Sequence, residues 1–169
     1  VFMLPMFHGR SRRLHHLAMD GELGRLLGQG LERKAAVVVL GRWLELGSAH
    51  LFGVRRFLDG YSDLAGLLVR SPGGQVNALC LRELGADVVT IAWPDLRACL
   101  RAGAIEAVLT TYETTIRGRL RDSGIAAAFE SDQYFAMFIP LVSRPFWESL
   151  PEDLRAAYEL FRQNLERRM

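Results

Sequence analysis

The chain has 169 residues, half of them hydrophobic and 24% charged, with a net charge of +2. That length supports one sizeable core or two small lobes, and a balance so near neutral, with scattered arginines, argues against a nucleic-acid surface. No run approaches the ~20 apolar residues of a membrane span, so membrane insertion is not expected.

The opening, VFMLPMFHGRSRR, has no basic stretch before its short apolar run and no initiator Met, so it reads as neither a signal peptide nor a natural start. It reads as the edge of a longer precursor. Leu14, Leu17, Leu23, Leu26, Leu27 and Leu31 then recur at helical spacing, broken near Asp20-Gly21. AAVVVLGRW predicts a strand, and LELGSAHLFG a second extended piece. The run from Arg55 to Gly66 is loop-like, with Asp59-Gly60 as a turn signal.

Leu67, Leu68 and Val69 predict a buried strand, followed directly by Arg70. Ser71, Pro72, Gly73 and Gly74 break it, and a helix is expected from Gly74 to Leu84, stopped by Gly85. DVVTIAW predicts a strand. Pro94 suits a first helical residue, and Gly103 suits the end of that helix. AIEAVLTTY predicts a strand, ETTIRGRLRDSG a helix or helix-loop, and IAAAFES and YFAMFIPLVS two further strands. The C-terminal stretch predicts a helix pair, with Glu152 and Asp153 in the first turn of the second, where the helix dipole favours acids. Strands alternating with helices give an α/β class with mostly parallel sheets flanked by helices.

Arg70 poses the main question. The predicted order places a permanent cation at the carboxyl end of a strand, beside a helix N-terminus, where open α/β sheets bind ligands. An uncompensated buried charge is expensive. Either an acid on a neighbouring segment pairs with Arg70, or an acid arrives from outside. Both readings stay open on the residues alone. For the second, the guanidinium offers a planar fork for a carboxylate, and the Gly73 and Gly74 N–H groups would be free to face the anion.

Other features carry less. Cys80 and Cys99 are too few for a disulfide framework or a zinc site and read as small buried hydrophobes. His15 and His16 face different sides of a helix, and His8 and His50 stand apart, so no metal is expected. SPGG lacks the Lys-Ser or Lys-Thr of a phosphate loop, and Ser71 reads as a turn residue. No serine elbow, acid pair or Cys-His arrangement is evident, so neither an enzyme nor a cofactor is expected.

Read in order, the motifs resemble the solute-binding proteins of tripartite ATP-independent periplasmic (TRAP) transporters, the family that contains the dicarboxylate-binding proteins. Asp63-Leu64, Gly66 and Arg70 match a DL-x-G-x-x-x-R segment. Leu84-Gly85-Ala86, Leu100, Gly103 and Glu106 match the segment that follows, and Phe146-Trp147, Leu150-Pro151 and Leu154 match an FW-x-x-LP-x-x-L segment. The resemblance covers nearly the whole chain.

It implies a two-lobed periplasmic-binding-protein-like fold of class II with the first lobe incomplete. Residues 1–47 and 134–169 would form partial lobe one with the C-terminal helices, and residues 48–133 would form lobe two. It implies a small organic acid as ligand, membrane permease subunits as partners, and a periplasmic location. Arg70 matches the arginine that clamps the ligand carboxylate. Thr110 stands nearest to a second polar contact, with Thr111 and Tyr112 beside it, and Trp93 matches an aromatic near the cleft. Ala49 stands where the family often has a second arginine, which bears on the ligand class. A ligand-sensing regulatory domain of the same fold and an incomplete, inactive fragment are the alternatives.

Overall fold

The computed structural model describes Phe7 and residues 10–167, with side chains through Leu160. His8 and the apolar opening lie outside the described residues. In chain order the elements are α1 (Arg12–Asp20), α2 (Glu22–Lys34), β1 (Val37–Val39), β2 (Leu44–Val54), β3 (Leu68–Ser71), α3 (Gln75–Glu83), β4 (Asp87–Thr90), α4 (Trp93–Ala102), β5 (Ala107–Thr111), α5 (Tyr112–Arg117), β6 (Ile125–Phe138), β7 (Leu141–Ser143), α6 (Arg144–Ser149) and α7 (Glu152–Arg167). This is the α/β alternation expected. The chain divides into two units, one of residues 46–136 with the N-terminal residues, the other of 12–45 and 137–169.

The first unit holds a five-stranded sheet in the order β4-β3-β5-β2-β6. β3 runs parallel to both β4 and β5, whereas β2 runs antiparallel to β5. The parallel part is therefore confined to the β4-β3-β5 side, with a βαβ crossover on each step. Strand alternation sorts the side chains into two cores. Leu51, Val69, Ala107 and Leu109 face one way, with Leu81 of α3. Phe52 and Val108 face the other, with Leu96 and Leu100 of α4. Every residue of β5 is buried, as a central strand covered on both faces requires.

Glycines end the helices where the sequence suggests. Gly85 follows α3 with φ +87, and Gly103 closes α4 in the left-handed region with φ +68. Glu106 ties the base of the sheet together. Its Oε2 accepts from the Leu68 N–H at 3.0 Å, and its Oε1 meets Arg56 Nη1 at 3.4 Å. A carboxylate at this position therefore serves the strand starts.

Several local expectations change. The helix expected to begin at Pro94 begins one residue earlier, with Trp93 in its first turn and Pro94 at a position that needs no N–H. Of the two strands expected after Gly124, the first and the start of the second form one strand, β6, which holds Asp132 at φ +43, and the end of the second is the separate β7. Irregular backbone at that point mimics a strand break in the sequence. Arg70 and Ser71 belong to β3 itself. Cys80, expected to be buried, is exposed on α3, and Cys99 is half-buried; neither forms a disulfide.

In the second unit α1 packs on α2 through Gly24, where an added Cβ would lie 1.8 Å from the Met19 carbonyl oxygen. β1 pairs antiparallel with β7, and Trp147 of α6 meets Tyr158 of α7 edge to face at 5.4 Å. Glu45 accepts from both Arg12 and His16 at 2.6 Å. No described helix is long and apolar enough to cross a membrane.

If the two-faced sheet is the stabilising element of the first unit, Leu109→Ala, at 1% exposure, should lower its stability by about 2–5 kcal/mol. Phe57→Ala, at 77% exposure, should change it by less than about 0.5 kcal/mol. Urea denaturation followed by circular dichroism measures both, and equal effects would refute the assignment of the core.

Candidate functional site

The carboxyl ends of β3, β4 and β5 lie side by side, because Arg70 pairs in register with Val89 on one side and Val108 on the other. Arg70 projects to the α4 face of the sheet, in line with Leu68, Val89 and Val108, which pack there. Only 4% of its surface is exposed, and it is the one buried arginine among the described residues. Nε and Nη2 both donate to the Ile91 carbonyl, at 3.0 and 2.8 Å. That carbonyl sits just beyond β4, so the fork is pinned at the strand ends. Nη1 makes no hydrogen bond to any described residue, and no described carboxylate pairs with the group.

Burial lowers the Arg70 pKa from its ordinary value, and the nearby Tyr134 phenol opposes that shift. A guanidinium stays cationic in a protein regardless. A backbone carbonyl supplies a dipole and no charge, so the site holds a positive charge with donor capacity left over. The Tyr134 phenol is itself raised by desolvation, opposed by Arg70 and by a hydrogen bond with Asn77. Asn77 is 5% exposed and its Nδ2 donates to the Gly73 carbonyl at 3.1 Å, which braces the turn between β3 and α3.

The other expected site residues divide. Thr110 is 6% exposed, stands two residues beyond Val108 on the same face as Arg70, and its hydroxyl makes no hydrogen bond to any described residue. Thr111 points to the opposite face, and its Oγ1 accepts from the Thr114 N–H at 3.1 Å and meets Thr114 Oγ1 at 2.9 Å. It is an N-cap, with its hydroxyl committed. Gly73 does not offer the free N–H expected of it, because that N–H donates to Ser71 Oγ at 3.3 Å. Gly74 is the N-cap of α3, at φ +85, and its N–H enters none of the described bonds. Trp93 is 45% exposed, with one ring edge against Gly118, where an added Cβ would lie 2.6 Å from Cη2.

His50 was not anticipated as a site residue. It pairs across from Thr110, shares its face, and is 7% exposed. The signal was available: His50 and Phe52 are two apart in a strand, so an inward Phe52 implies an inward His50. The Asp132 N–H donates to His50 Nδ1 at 3.2 Å, and the Asp132 carboxylate lies 3.9 Å from the same nitrogen. The ring stands 5.3 Å from that of Tyr112, whose hydroxyl donates to Glu130 at 2.9 Å. Ala49 is wholly buried on the other face, so no second cation comes from that position.

Among the described residues no group of His, Cys, Asp and Glu could hold a metal ion. The second unit has a recess of about 720 Å³ between Gly24 and Gly28 of α2, Val39 and Trp43. Of its charged lining residues, Arg42 pairs with Asp20 and Arg25 with Glu22, and Glu32 accepts from the Val39 N–H.

The family described as "Bacterial extracellular solute-binding protein, family 7" (DctP) matches residues 1–166, and the chain belongs to it. Among curated relatives, a "Solute-binding protein" of Chromohalobacter salexigens is 23% identical over 93% of this chain and 46% of its own length. The "C4-dicarboxylate-binding periplasmic protein DctP" of Rhodobacter capsulatus is 23% identical over 94% of this chain and 46% of its own length. Among solved structures, a TRAP periplasmic solute-binding protein of Sulfurospirillum deleyianum with bound succinate superposes with a TM-score of 0.83 at 18% identity, covering 92% of this chain and 49% of that one. One from Citrobacter koseri with bound D-glucuronate gives 0.81 at 22%, covering 94% and 52%. The fold is therefore that of TRAP solute-binding proteins, and the chain spans about half the length of the relatives it matches.

The two threonines give a contrast that needs no ligand. Thr111→Val should cost about 1 kcal/mol through the lost cap, whereas Thr110→Val should be neutral or slightly stabilising, since it removes a hydroxyl with no protein partner. Thermal melts of the two variants check this, and the reverse order would show that Thr110 is structurally engaged.

Proposed function

We propose that this family member carries the acid-gripping part of an extracytoplasmic solute-binding protein, which captures a small organic acid and delivers it to the permease subunits of a TRAP transporter. Arg70 takes the ligand carboxylate. Thr110 is a second polar contact, the α3 N-terminus at Gly73-Gly74 contributes its dipole, and Trp93 forms an apolar wall. Thr111 contributes by holding the β5–α5 corner. The periplasmic location follows from the same reading, and the protein acts by binding, with no reaction catalysed.

The observation that carries this is the state of Arg70. A buried guanidinium without an acid partner is a standing electrostatic deficit, and desolvation strengthens any pairing that answers it. The donors left over include the whole of Nη1, on a fork held at fixed orientation by Ile91. A carboxylate is the anion whose geometry matches that fork. Family membership and neighbours crystallised with carboxylates support the assignment.

The reading is tested by thermal shift and calorimetry of the full chain against small organic acids. At least one acid should raise the melting temperature of the wild type, and Arg70→Ala should abolish that response. Arg70→Lys, which keeps charge and loses the fork, should weaken binding by at least tenfold. An equal response from wild type and Arg70→Ala would refute the role of Arg70.

A further inference from the structure

Arg55, Arg101 and Arg121 stand far apart in the sequence, but the fold joins them at the end of the first unit's sheet opposite Arg70. Gly53 pairs with Ala107, so β2 ends where β5 begins, and Arg55 follows directly. The Arg55 N–H donates to the Gly124 carbonyl at 2.9 Å, and the Gly124 N–H donates to the Arg121 carbonyl at 3.1 Å. Arg55 Nη2 donates to the Arg101 carbonyl at 3.3 Å, across the last turn of α4. Gly103 makes room for that guanidinium, since an added Cβ there would lie 3.2 Å from Arg55 Nη1. Arg97 precedes Arg101 by one helical turn, and both are exposed while Leu96 and Leu100 face the core.

Four exposed arginines therefore share this end, and no described carboxylate pairs with any of them. Arg56 and Arg119 beside them are neutralised by Glu106 and Asp122. Asp59, Asp63 and Glu83 belong to segments that pack on the other core, with Leu58, Leu64 and Leu81. Asp87 starts the edge strand β4, three strand spacings from β2, about 14 Å. The positive charge is thus locally uncompensated. Arg55 and Arg119 also hold left-handed backbone, at φ +55 and +48, where glycine would cost less. Retaining arginines at both positions points to a use for the charge. Phe57, two residues beyond Arg55, is 77% exposed.

We infer that this end of the first unit docks peripherally onto an anionic lipid surface. The arginines meet headgroup phosphates, and the Phe57 ring enters the boundary between headgroups and acyl chains. The contrast with Arg70 decides between a bilayer and a folded acidic partner. A fixed acid calls for donors held in place, as the Ile91 carbonyl holds Arg70. The Arg97, Arg101 and Arg121 side chains donate to no described residue, so they offer charge without a fixed direction. Fluid headgroups need net charge and an apolar side chain to bury, and both are present. Lipid docking is independent of acid capture by Arg70, which lies at the other end of the sheet.

Cosedimentation of the full chain with vesicles provides the test. Vesicles of one part phosphatidylglycerol to two parts phosphatidylcholine should bind the protein at low ionic strength, and pure phosphatidylcholine should not. Added salt should weaken binding steeply, because exposed charges are screened. Arg97→Gln combined with Arg101→Gln should weaken binding about 25-fold, at about fivefold per arginine. Phe57→Ala should weaken it about fivefold and leave the salt dependence unchanged. Arg33→Gln combined with Lys34→Gln removes the same charge from the last turn of α2 and should change binding by less than about twofold. Thermal melts check that the variants fold, and if the α4 double variant does not, Arg121→Gln decides, with a loss of about fivefold. Absence of vesicle binding, or equal losses from the α4 and α2 double variants, would overturn the inference. Retention on polyglutamate with none on vesicles would overturn it in favour of an acidic protein partner. Release from vesicles by inorganic phosphate at constant ionic strength would overturn it in favour of a free-ion site. Arg70→Ala should leave vesicle binding unchanged, so failure of lipid docking and failure of acid capture are read separately.

Discussion

The pair of hydrogen bonds from Arg70 to the Ile91 carbonyl governs the rest of the site. Those bonds use two donors of a five-donor group and neutralise none of its charge. They also fix which way the remaining donors point. An acid from within the chain would have satisfied the cation and closed the site. A carbonyl holds the fork without competing for the anion. The price is a buried charge carried by the ligand-free protein, which apolar packing elsewhere in the sheet must offset.

The surrounding frame keeps Arg70 in place through positions that never touch it. Glu106 accepts from the first N–H of β3 and meets Arg56, so the start of that strand is fixed relative to β5. Thr111 caps α5 and so turns the chain away directly after Thr110, leaving the Thr110 hydroxyl at the edge. Asn77 braces the Gly73 carbonyl and meets Tyr134, linking the turn after Arg70 to β6. Acids and amides near a binding centre invite assignment as ligand contacts. Here Glu106 and Asn77 are committed to the backbone.

Much of this was legible in the sequence, and the reasons are specific. Arg70 stood out because a permanent charge ended an apolar run just before a turn and a helix. Gly85 and Gly103 marked helix ends because only glycine takes φ near +70 to +90 without strain. Thr110 and Thr111 could not be told apart by composition, since two adjacent threonines in a strand point to opposite faces, and only the register shows which faces Arg70. The single strand β6 read as two because the Glu130-Ser131-Asp132 stretch is polar, and the left-handed backbone at Asp132 has no unambiguous signature in one sequence. The exposure of Cys80 depended on which face of α3 meets the sheet. That face carries Asn77 and Leu81, a weakly amphipathic pattern that leaves the orientation undecided until packing fixes it.

The absence of a second cation is written into the core as well as into the surface. Ala49 pairs with Thr111 and packs with Leu51, Ala107 and Leu109, fully enclosed. A long charged side chain there would need both space and a partner, and the cluster around it is apolar. Across the same strand, His50 takes its Nδ1 hydrogen bond from the β6 backbone, at Asp132. Alternation thus gives adjacent residues opposite surroundings: Ala49 lies in the apolar core, and His50 lies on the face that carries Arg70 and Thr110. Which of the two residues shares a face with Arg70 follows from the register between β2 and β5. A one-residue slip there would bring Ala49 to the Arg70 face and drive His50 into the apolar core, so the packing that fixes the register also fixes which groups stand beside Arg70.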